Sequence, residues 1–168
     1  MQSDKPLTHY EALLCLTGGI ACYKSADLAS KLVQAGANVD VVMTEAACHF
    51  VTPLPFQTLT KRPVSIDAFQ LLRDTDMAHI SLSQKADVLV IAPATANTLA
   101  KLALGLADNL LCSTALACTA PLVLAPAMDA DMWAHPATQA NVQLLVARGA
   151  LLAGPESGRL ASGRMGLG

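Results

Sequence analysis

Residues 86–98 read ADVLVIAPATANT, and this stretch decides the fold of the chain. Residues 88–92 form an unbroken apolar run, which predicts a strand that is buried on both faces of a parallel sheet. Pro93 has no N–H to donate, so we expect the strand to end there. Small and polar residues follow, and Asn97 is predicted to cap the next helix. Ligands of open α/β sheets bind at this end of the strands, although the turn taken alone is more typical of ordinary helix capping.

Residues 12–43 have the order strand, glycine-containing turn, helix, strand. The two strands are predicted at residues 12–16 and 39–43, and the helix at about 21–35; such a unit requires parallel strands and a right-handed crossover. The other predicted elements are a short helix at 44–50, a turn at 56–60, a strand at 64–66, a loop at 67–78, helices at 79–85, 97–104, 108–118 and 136–147, strands at 121–125 and 150–153, and an irregular tail at 154–168. We therefore predict one α/β domain over residues 1–168, a doubly wound parallel sheet of the Rossmann or flavodoxin-like type with helices on both faces.

The composition argues against nucleic-acid and membrane partners. Hydrophobic residues make up 53% of the chain, charged residues 14%, and the net charge is −2 without a Lys/Arg cluster. The uncharged run at 109–128 is interrupted by Pro121 and Pro126, which favours a buried helix and strand over a membrane span. So little charge also predicts a buried subunit interface.

The N-terminus and the cysteines indicate a cytoplasmic protein. Residues 1–11 are polar and lack the apolar region of a secretion signal. The five cysteines have no metal-site spacing, so we expect reduced thiols in the core and no bound metal.

Three features could carry chemistry. Gly18 and Gly19 follow the first strand, where helix N-terminal amides can bind phosphate, although a Gly-Gly pair alone is a weak signal. His79 precedes the central strand by one short helix, and this position favours it over the other histidines as a base near neutral pH. Residues 125–133, APAMDADMW, follow another buried strand and predict either a ligand pocket or a packed loop.

Taken together, these motifs resemble those of the flavin-containing cysteine decarboxylases. The matching motifs are TGGIA at 17–21, MTEAA at 43–47, HI at 79–80, PATANT at 93–98 and, within 126–133, PAM followed by MW. They occur in the family's order, and the resemblance covers nearly all of the chain from Leu13 onward. Several separate motifs in one order are far more specific than any one of them.

The resemblance implies an FMN cofactor, and a homotrimer or a higher assembly of trimers with the flavin at the subunit boundary. The FMN phosphate would lie near Gly18, Gly19 and Ile20, and His79 would be catalytic. Further cofactor contacts are implied at Thr44, Glu45, Ala46, Thr95, Ala96, Asn97, Thr98 and Ala127. Asp129 and Met132 fall in the implied substrate site.

The implied reaction is an FMN-dependent decarboxylation of a terminal cysteine. In this family a substrate thiolate passes hydride to the flavin, and the resulting thioaldehyde loses CO2. The leading expectation is conversion of 4′-phosphopantothenoylcysteine to 4′-phosphopantetheine in coenzyme A biosynthesis. The alternatives are a peptidyl-cysteine decarboxylase that forms a C-terminal enethiol, and a flavin-binding protein without turnover.

Two residues depart from the family pattern. Asp129 stands where the family has an Asn that is thought to hold the substrate carboxylate, and two close carboxylates would repel by several kcal/mol. We therefore expect Asp129 to be protonated with a raised pKa, or displaced, or the substrate or activity to differ. Ser162 matches a position where the family often has a Cys that donates the final proton, and a serine hydroxyl is a far weaker acid than a thiol. Some family members of coenzyme A biosynthesis also carry Ser at this position. The family's Gly-Arg-Met segment would begin near Gly168, so we expect the chain to be the N-terminal part of a longer polypeptide.

Overall fold

The computed structural model describes residues 5–67 and 78–167. The strands are β1 (Glu11–Leu16), β2 (Asn38–Met43), β3 (Val64–Ser65), β4 (Val88–Ala94), β5 (Leu122–Pro126), β6 (Leu151–Leu152), β7 (Ser157–Arg159) and β8 (Met165–Leu167). The helices are α1 (Cys22–Gln34), α2 (Glu45–Cys48), α3 (Pro53–Thr60), α4 (Ala78–Lys85), α5 (Ala96–Leu104), α6 (Leu110–Ala117), α7 (Ala130–Ala134) and α8 (Pro136–Ala147).

Six strands form one parallel sheet in the order β3-β2-β1-β4-β5-β6. After β1 the chain adds β2 and then β3 on one side of it. It then returns to the other side of β1 and adds β4, β5 and β6 in order. The crevice at the carboxyl ends of β1 and β4 is therefore the topological switch point at which ligands of such sheets bind. The prediction of a doubly wound, Rossmann-like α/β fold is confirmed.

Helices cover both faces of the sheet, and this explains the unbroken apolar runs in its strands. In β1, Leu13 belongs to a core cluster that also contains Leu99 of α5. The neighbouring Leu14 belongs to a second cluster, on the other face, with Phe56 of α3. Because alternate residues of a strand point to opposite faces, burial on both faces requires every position to be apolar.

The prediction that β4 ends at Pro93 is wrong. Ile91 pairs with Leu124, and the next paired residue is Ala94, which lies opposite Pro126. Pro93 has no N–H for the ladder, so the register shifts around it and the strand continues to Ala94.

The helix cap after β4 also differs from the prediction. Thr95, not Asn97, is the N-cap of α5, and its Oγ1 accepts a hydrogen bond from the N–H of Thr98 at 3.3 Å. The helix begins one residue earlier than predicted, at Ala96, and this places the threonine at the capping position.

Two further predictions of irregular structure are wrong. Residues 56–60 belong to α3, which begins at Pro53, because a proline in the first turn has no helical hydrogen bond to lose. The tail forms an antiparallel hairpin of β7 and β8. Both strands are three residues long and contain glycine, so the sequence shows no apolar alternation that would predict them. Residues 68–77 of the predicted loop at 67–78 lie outside the described residues, and Ala78 is already helical.

The long uncharged run at 109–128 forms α6, capped by Asn109, and then β5. Within residues 5–67 and 78–167, no helix combines the length and the apolar character needed to cross a membrane.

Candidate functional site

The turns that follow β1, β2, β4 and β5 meet at the carboxyl edge of the sheet and surround a cavity of about 1420 Å³. Pockets for one small ligand occupy roughly 300–1,000 Å³, so this cavity has room for a cofactor and a substrate together. The predicted cofactor, substrate and catalytic residues that line it are Gly18, Gly19, Ile20, Thr44, Glu45, Ala46, Thr95, Ala96, Asn97, Thr98, Ala127, Asp129, Met132 and Ser162.

A buried threonine that the sequence analysis did not single out joins the first and third of these turns. The hydroxyl of Thr17 donates to the carbonyl oxygen of Pro93 at 2.6 Å and accepts from the N–H of Thr95 at 3.1 Å. Ser25 of α1 donates to the carbonyl oxygen of Ala92 at 2.8 Å. These two hydroxyls satisfy carbonyl groups at the irregular step of β4, where buried backbone oxygens need partners. A polar residue directly after a buried strand is the signal that could have identified Thr17.

Gly18 and Gly19 line the cavity, and Gly18 packs closely against the second turn. A Cβ atom on Gly18 would lie 2.5 Å from the Cβ of Ala46, so no side chain fits between the first two turns. Among the described residues, the N–H groups of Gly18, Gly19 and Ile20 have no hydrogen-bond partner. They precede α1, and free amides at a helix N-terminus bind phosphate groups. The local geometry therefore fits the phosphate of a mononucleotide.

Two predicted cofactor residues use their hydroxyls to cap helices. Thr44 Oγ1 accepts from the N–H of Ala47 at 3.1 Å, and Thr95 Oγ1 accepts from the N–H of Thr98. These caps satisfy N–H groups in the first turns of α2 and α5 at the rim of the cavity. The Asn97 side chain lines the cavity beside them and has no hydrogen-bond partner in the described part of the chain, so its amide is available to a ligand.

Asp129 is held by donors on both of its carboxylate oxygens. Oδ1 accepts from the N–H of Asp131 at 3.1 Å and from Nη2 of Arg164 at 2.5 Å, and Oδ2 accepts from Ser162 Oγ at 3.2 Å. The Asp131 N–H, then the Ser162 hydroxyl and the Arg164 guanidinium, hold the pKa of the Asp129 carboxyl below its ordinary value. The expectation of a protonated Asp129 with a raised pKa is therefore wrong, because a stabilised carboxylate loses its proton more easily.

His79 is not among the described residues that line the cavity. It lies on α4, which packs against α6, and its side chain is half-buried. Within one chain, His79 is therefore not brought together with the other predicted residues, and its catalytic role stays a prediction.

The chain matches the sequence profile of the Flavoprotein family over residues 1–168. The chain belongs to the Flavoprotein family. The prediction of a flavin protein is thus confirmed. Solved structures similar to this Flavoprotein chain include the FMN-dependent cysteine decarboxylase SpaF, with 32% identity and a TM-score of 0.85, covering 96% of this chain and 90% of that one.

A PPC decarboxylase variant in complex with pantothenoylaminoethenethiol is 36% identical, with a TM-score of 0.85 over 95% of this Flavoprotein chain and 89% of that one. The FMN binding protein AtHal3 is 35% identical, with a TM-score of 0.81 over 98% and 88% of the two chains.

Curated relatives of this Flavoprotein chain carry the name coenzyme A biosynthesis bifunctional protein CoaBC. The protein from Bacillus subtilis is 48% identical over 162 residues, and that from Escherichia coli is 42% identical over 156 residues. These matches cover 96% and 93% of this chain but 40% and 38% of the relatives. The chain thus spans about two fifths of the length of these relatives.

Proposed function

We propose that this Flavoprotein chain binds FMN and decarboxylates 4′-phosphopantothenoylcysteine to 4′-phosphopantetheine. The observation that carries the proposal is the cavity at the switch point of the sheet, lined by fourteen of the fifteen residues predicted for cofactor, substrate and catalysis. The similarity to CoaBC proteins and to PPC decarboxylase supports this substrate over other cysteine carboxylates.

The residues present fit FMN. In the described part of the chain the N–H groups of residues 18–20 have no partner and would hold its phosphate, and both glycines line the cavity. Residues 95–98 and Ala127 would contact the rest of the cofactor from the turns after β4 and β5. When bound, FMN would accept the hydride that leaves the substrate cysteine and would return it after CO2 is lost, so that decarboxylation to the saturated thiol needs no external oxidant.

Residues of the chain itself would orient the substrate and remove the proton of its thiol. The Asn97 amide, which has no partner among residues 5–67 and 78–167, would bind the substrate, and Met132 contributes apolar surface to the cavity. His79 would take the proton of the substrate thiol, since a neutral imidazole nitrogen can act as a general base.

A homotrimer would explain the position of His79. His79 is absent from the lining of its own cavity, and its neighbour Ile80 is 42% exposed, as expected for a surface that another copy covers. We therefore include in the proposal that His79 of one copy serves the cavity of the next.

Mixed oligomers test this arrangement. Co-expressing a His79→Ala chain with a Gly19→Asp chain, whose carboxylate would repel the FMN phosphate, should restore activity through cavities that combine an intact turn with a neighbour's histidine. Activity no higher than that of the separately purified variants would contradict a shared site.

The function itself is tested with purified protein, FMN and 4′-phosphopantothenoylcysteine. We expect a bound flavin spectrum, CO2 release and a product of the mass of 4′-phosphopantetheine. His79→Asn should abolish CO2 release, whereas the exposed His49→Gln serves as the matched control. Protein that binds no FMN, or that binds FMN and releases no CO2, would overturn the proposal.

A second candidate reaction is favoured by Ser162. Its hydroxyl donates to Asp129 and is a much weaker acid than a thiol, so a final protonation step would be poorly served. A chain that stops at the enethiol would leave two hydrogens on FMN, which an external oxidant such as O2 would reoxidise. A peptide ending in cysteine would then give a product two hydrogens lighter than the saturated thiol. Product mass from the two substrates, measured side by side, separates the two reactions.

A further inference from the structure

The β7–β8 hairpin lies against the rim of the cavity, and one arginine fastens it to α7. Nη2 of Arg164 lies 2.5 Å from Asp129 Oδ1 and 2.9 Å from Asp131 Oδ2. Gly166 on β8 packs so closely on α7 that a Cβ there would lie 2.9 Å from the Cβ of Ala130. The segment between the hairpin strands carries Ser162, which lines the cavity.

Asp129 places a negative charge beside the cavity. Its carboxylate is 29% exposed and ionised at neutral pH, and it lines the space in which a substrate would lie. A substrate that carries its own carboxylate would be repelled there unless a cation compensates Asp129. Arg164 is that cation among the described residues, and it does not itself line the cavity.

We propose that Arg164 is a positioning and specificity residue, which neutralises and orients Asp129 so that the site accepts a substrate carboxylate. The inference rests on the proposed function, because it assumes that the substrate is a cysteine carboxylate. Arg164 acts through Asp129 in this arrangement. With Oδ1 engaged by Arg164 and the Asp131 N–H, and Oδ2 engaged by Ser162, the charge of Asp129 is turned away from an incoming anion.

The test measures equilibrium binding to FMN-loaded protein by calorimetry. The probe is N-(4′-phosphopantothenoyl)alanine, which has the carboxylate but no thiol to react, and the matched control ligand is the corresponding ethylamide, which lacks the carboxylate. Arg164→Gln should weaken binding of the alanine compound about tenfold, equivalent to about 1.4 kcal/mol. Its affinity for the ethylamide should stay within about twofold of the native value.

Removing the charge of Asp129 should cancel the defect. The double variant Arg164→Gln/Asp129→Asn should bind the alanine compound within about threefold of the native protein, since no charge is left to compensate. Arg164→Lys keeps the cation and should recover most of the affinity. With the reactive substrate, Arg164→Gln should raise KM and leave kcat nearly unchanged. Lys31→Gln, which removes the cation of an exposed ion pair on α1, is the control and should change neither.

The outcomes separate the two hypotheses. If native protein binds neither compound, the proposed function is wrong and this inference falls with it. If native protein binds the alanine compound and Arg164→Gln binds it equally well, the proposed function stands and the inference is wrong. Loss of affinity for both compounds, without rescue by Asp129→Asn, would assign Arg164 a merely structural role and would also overturn the inference.

Discussion

The contact between Gly18 and Ala46 is the sharpest test of the site, because it concerns the fold alone and requires no cofactor. In Gly18→Ala the new Cβ would lie 2.5 Å from the Cβ of Ala46, and 3.0 and 3.1 Å from its carbonyl carbon and oxygen. Ordinary contacts between carbon atoms are about 3.5–4.0 Å, so the two turns must separate by about 1 Å. Since two of the three opposing atoms are backbone, no change of rotamer relieves the overlap.

Overpacking of this kind costs about 1–3 kcal/mol in the free energy of unfolding. For a domain of this size each kcal/mol lowers Tm by about 2–4 °C, so we expect Gly18→Ala to lower Tm by about 2–12 °C. Gly19→Ala is the matched control, because its Cβ would meet Thr95 Cγ2 at an ordinary 3.5 Å. Its free energy of unfolding should stay within about 0.5 kcal/mol of the native value.

The assay is urea unfolding of the flavin-free protein, followed by circular dichroism. A double-mutant cycle with Ala46→Gly, which removes the opposing Cβ at a helix-propensity cost of about 1 kcal/mol, should give a favourable coupling of about 1 kcal/mol or more. A native-like Gly18→Ala protein, or singles that simply add, would refute the claim that these turns are in contact.

Three further predictions concern the fold. Thr17→Val should lower the free energy of unfolding by about 2–4 kcal/mol, because both buried hydrogen bonds of the hydroxyl are lost. Thr58→Val on the exposed side of α3 is the control and should change it by less than about 0.5 kcal/mol. Equal losses for the two variants in urea unfolding would contradict this prediction. Burial raises the pKa of the Cys15 thiol, so mass spectrometry should find it unlabelled by iodoacetamide at pH 8 in the folded protein and labelled in urea. Because the folded chain keeps this proton longer than the unfolded chain, the free energy of unfolding should fall as pH rises above the unfolded thiol pKa near 8.5. The hydrogen bond from Arg62 lowers the pKa of Glu11, so its stabilisation is present above the ordinary Glu pKa near 4.3 and lost as pH falls through the lowered value. Arg62→Gln should accordingly cost about 1 kcal/mol at pH 7 and almost nothing near pH 2, and a loss independent of pH would argue against the ion pair.

The layers of the fold and the residues that line the cavity could be predicted from the residue pattern and the motifs. Unbroken apolar runs at β1 and β4 require a sheet covered on both faces, and in a parallel sheet the turns after such strands must meet at one edge. The motifs at 17–20 and 93–98 could therefore be assigned to one cavity without coordinates. The family's motif order then indicated which ligand such a cavity would take.

Features that depend on contacts between residues distant in sequence could be found only in the folded chain. The hydroxyl of Thr17 matters because Pro93, 76 residues away, leaves carbonyl groups of β4 without ladder partners. The sequence shows Asp129 as an unfavourable charge, and only the folded hairpin brings Ser162 and Arg164 to it. The Asp131 N–H first, and then these two side chains, lower the pKa of Asp129. Strand ends and caps follow from periodicity and local propensity, but the charge state and the hydrogen bonds of a side chain are set by neighbours that only folding supplies.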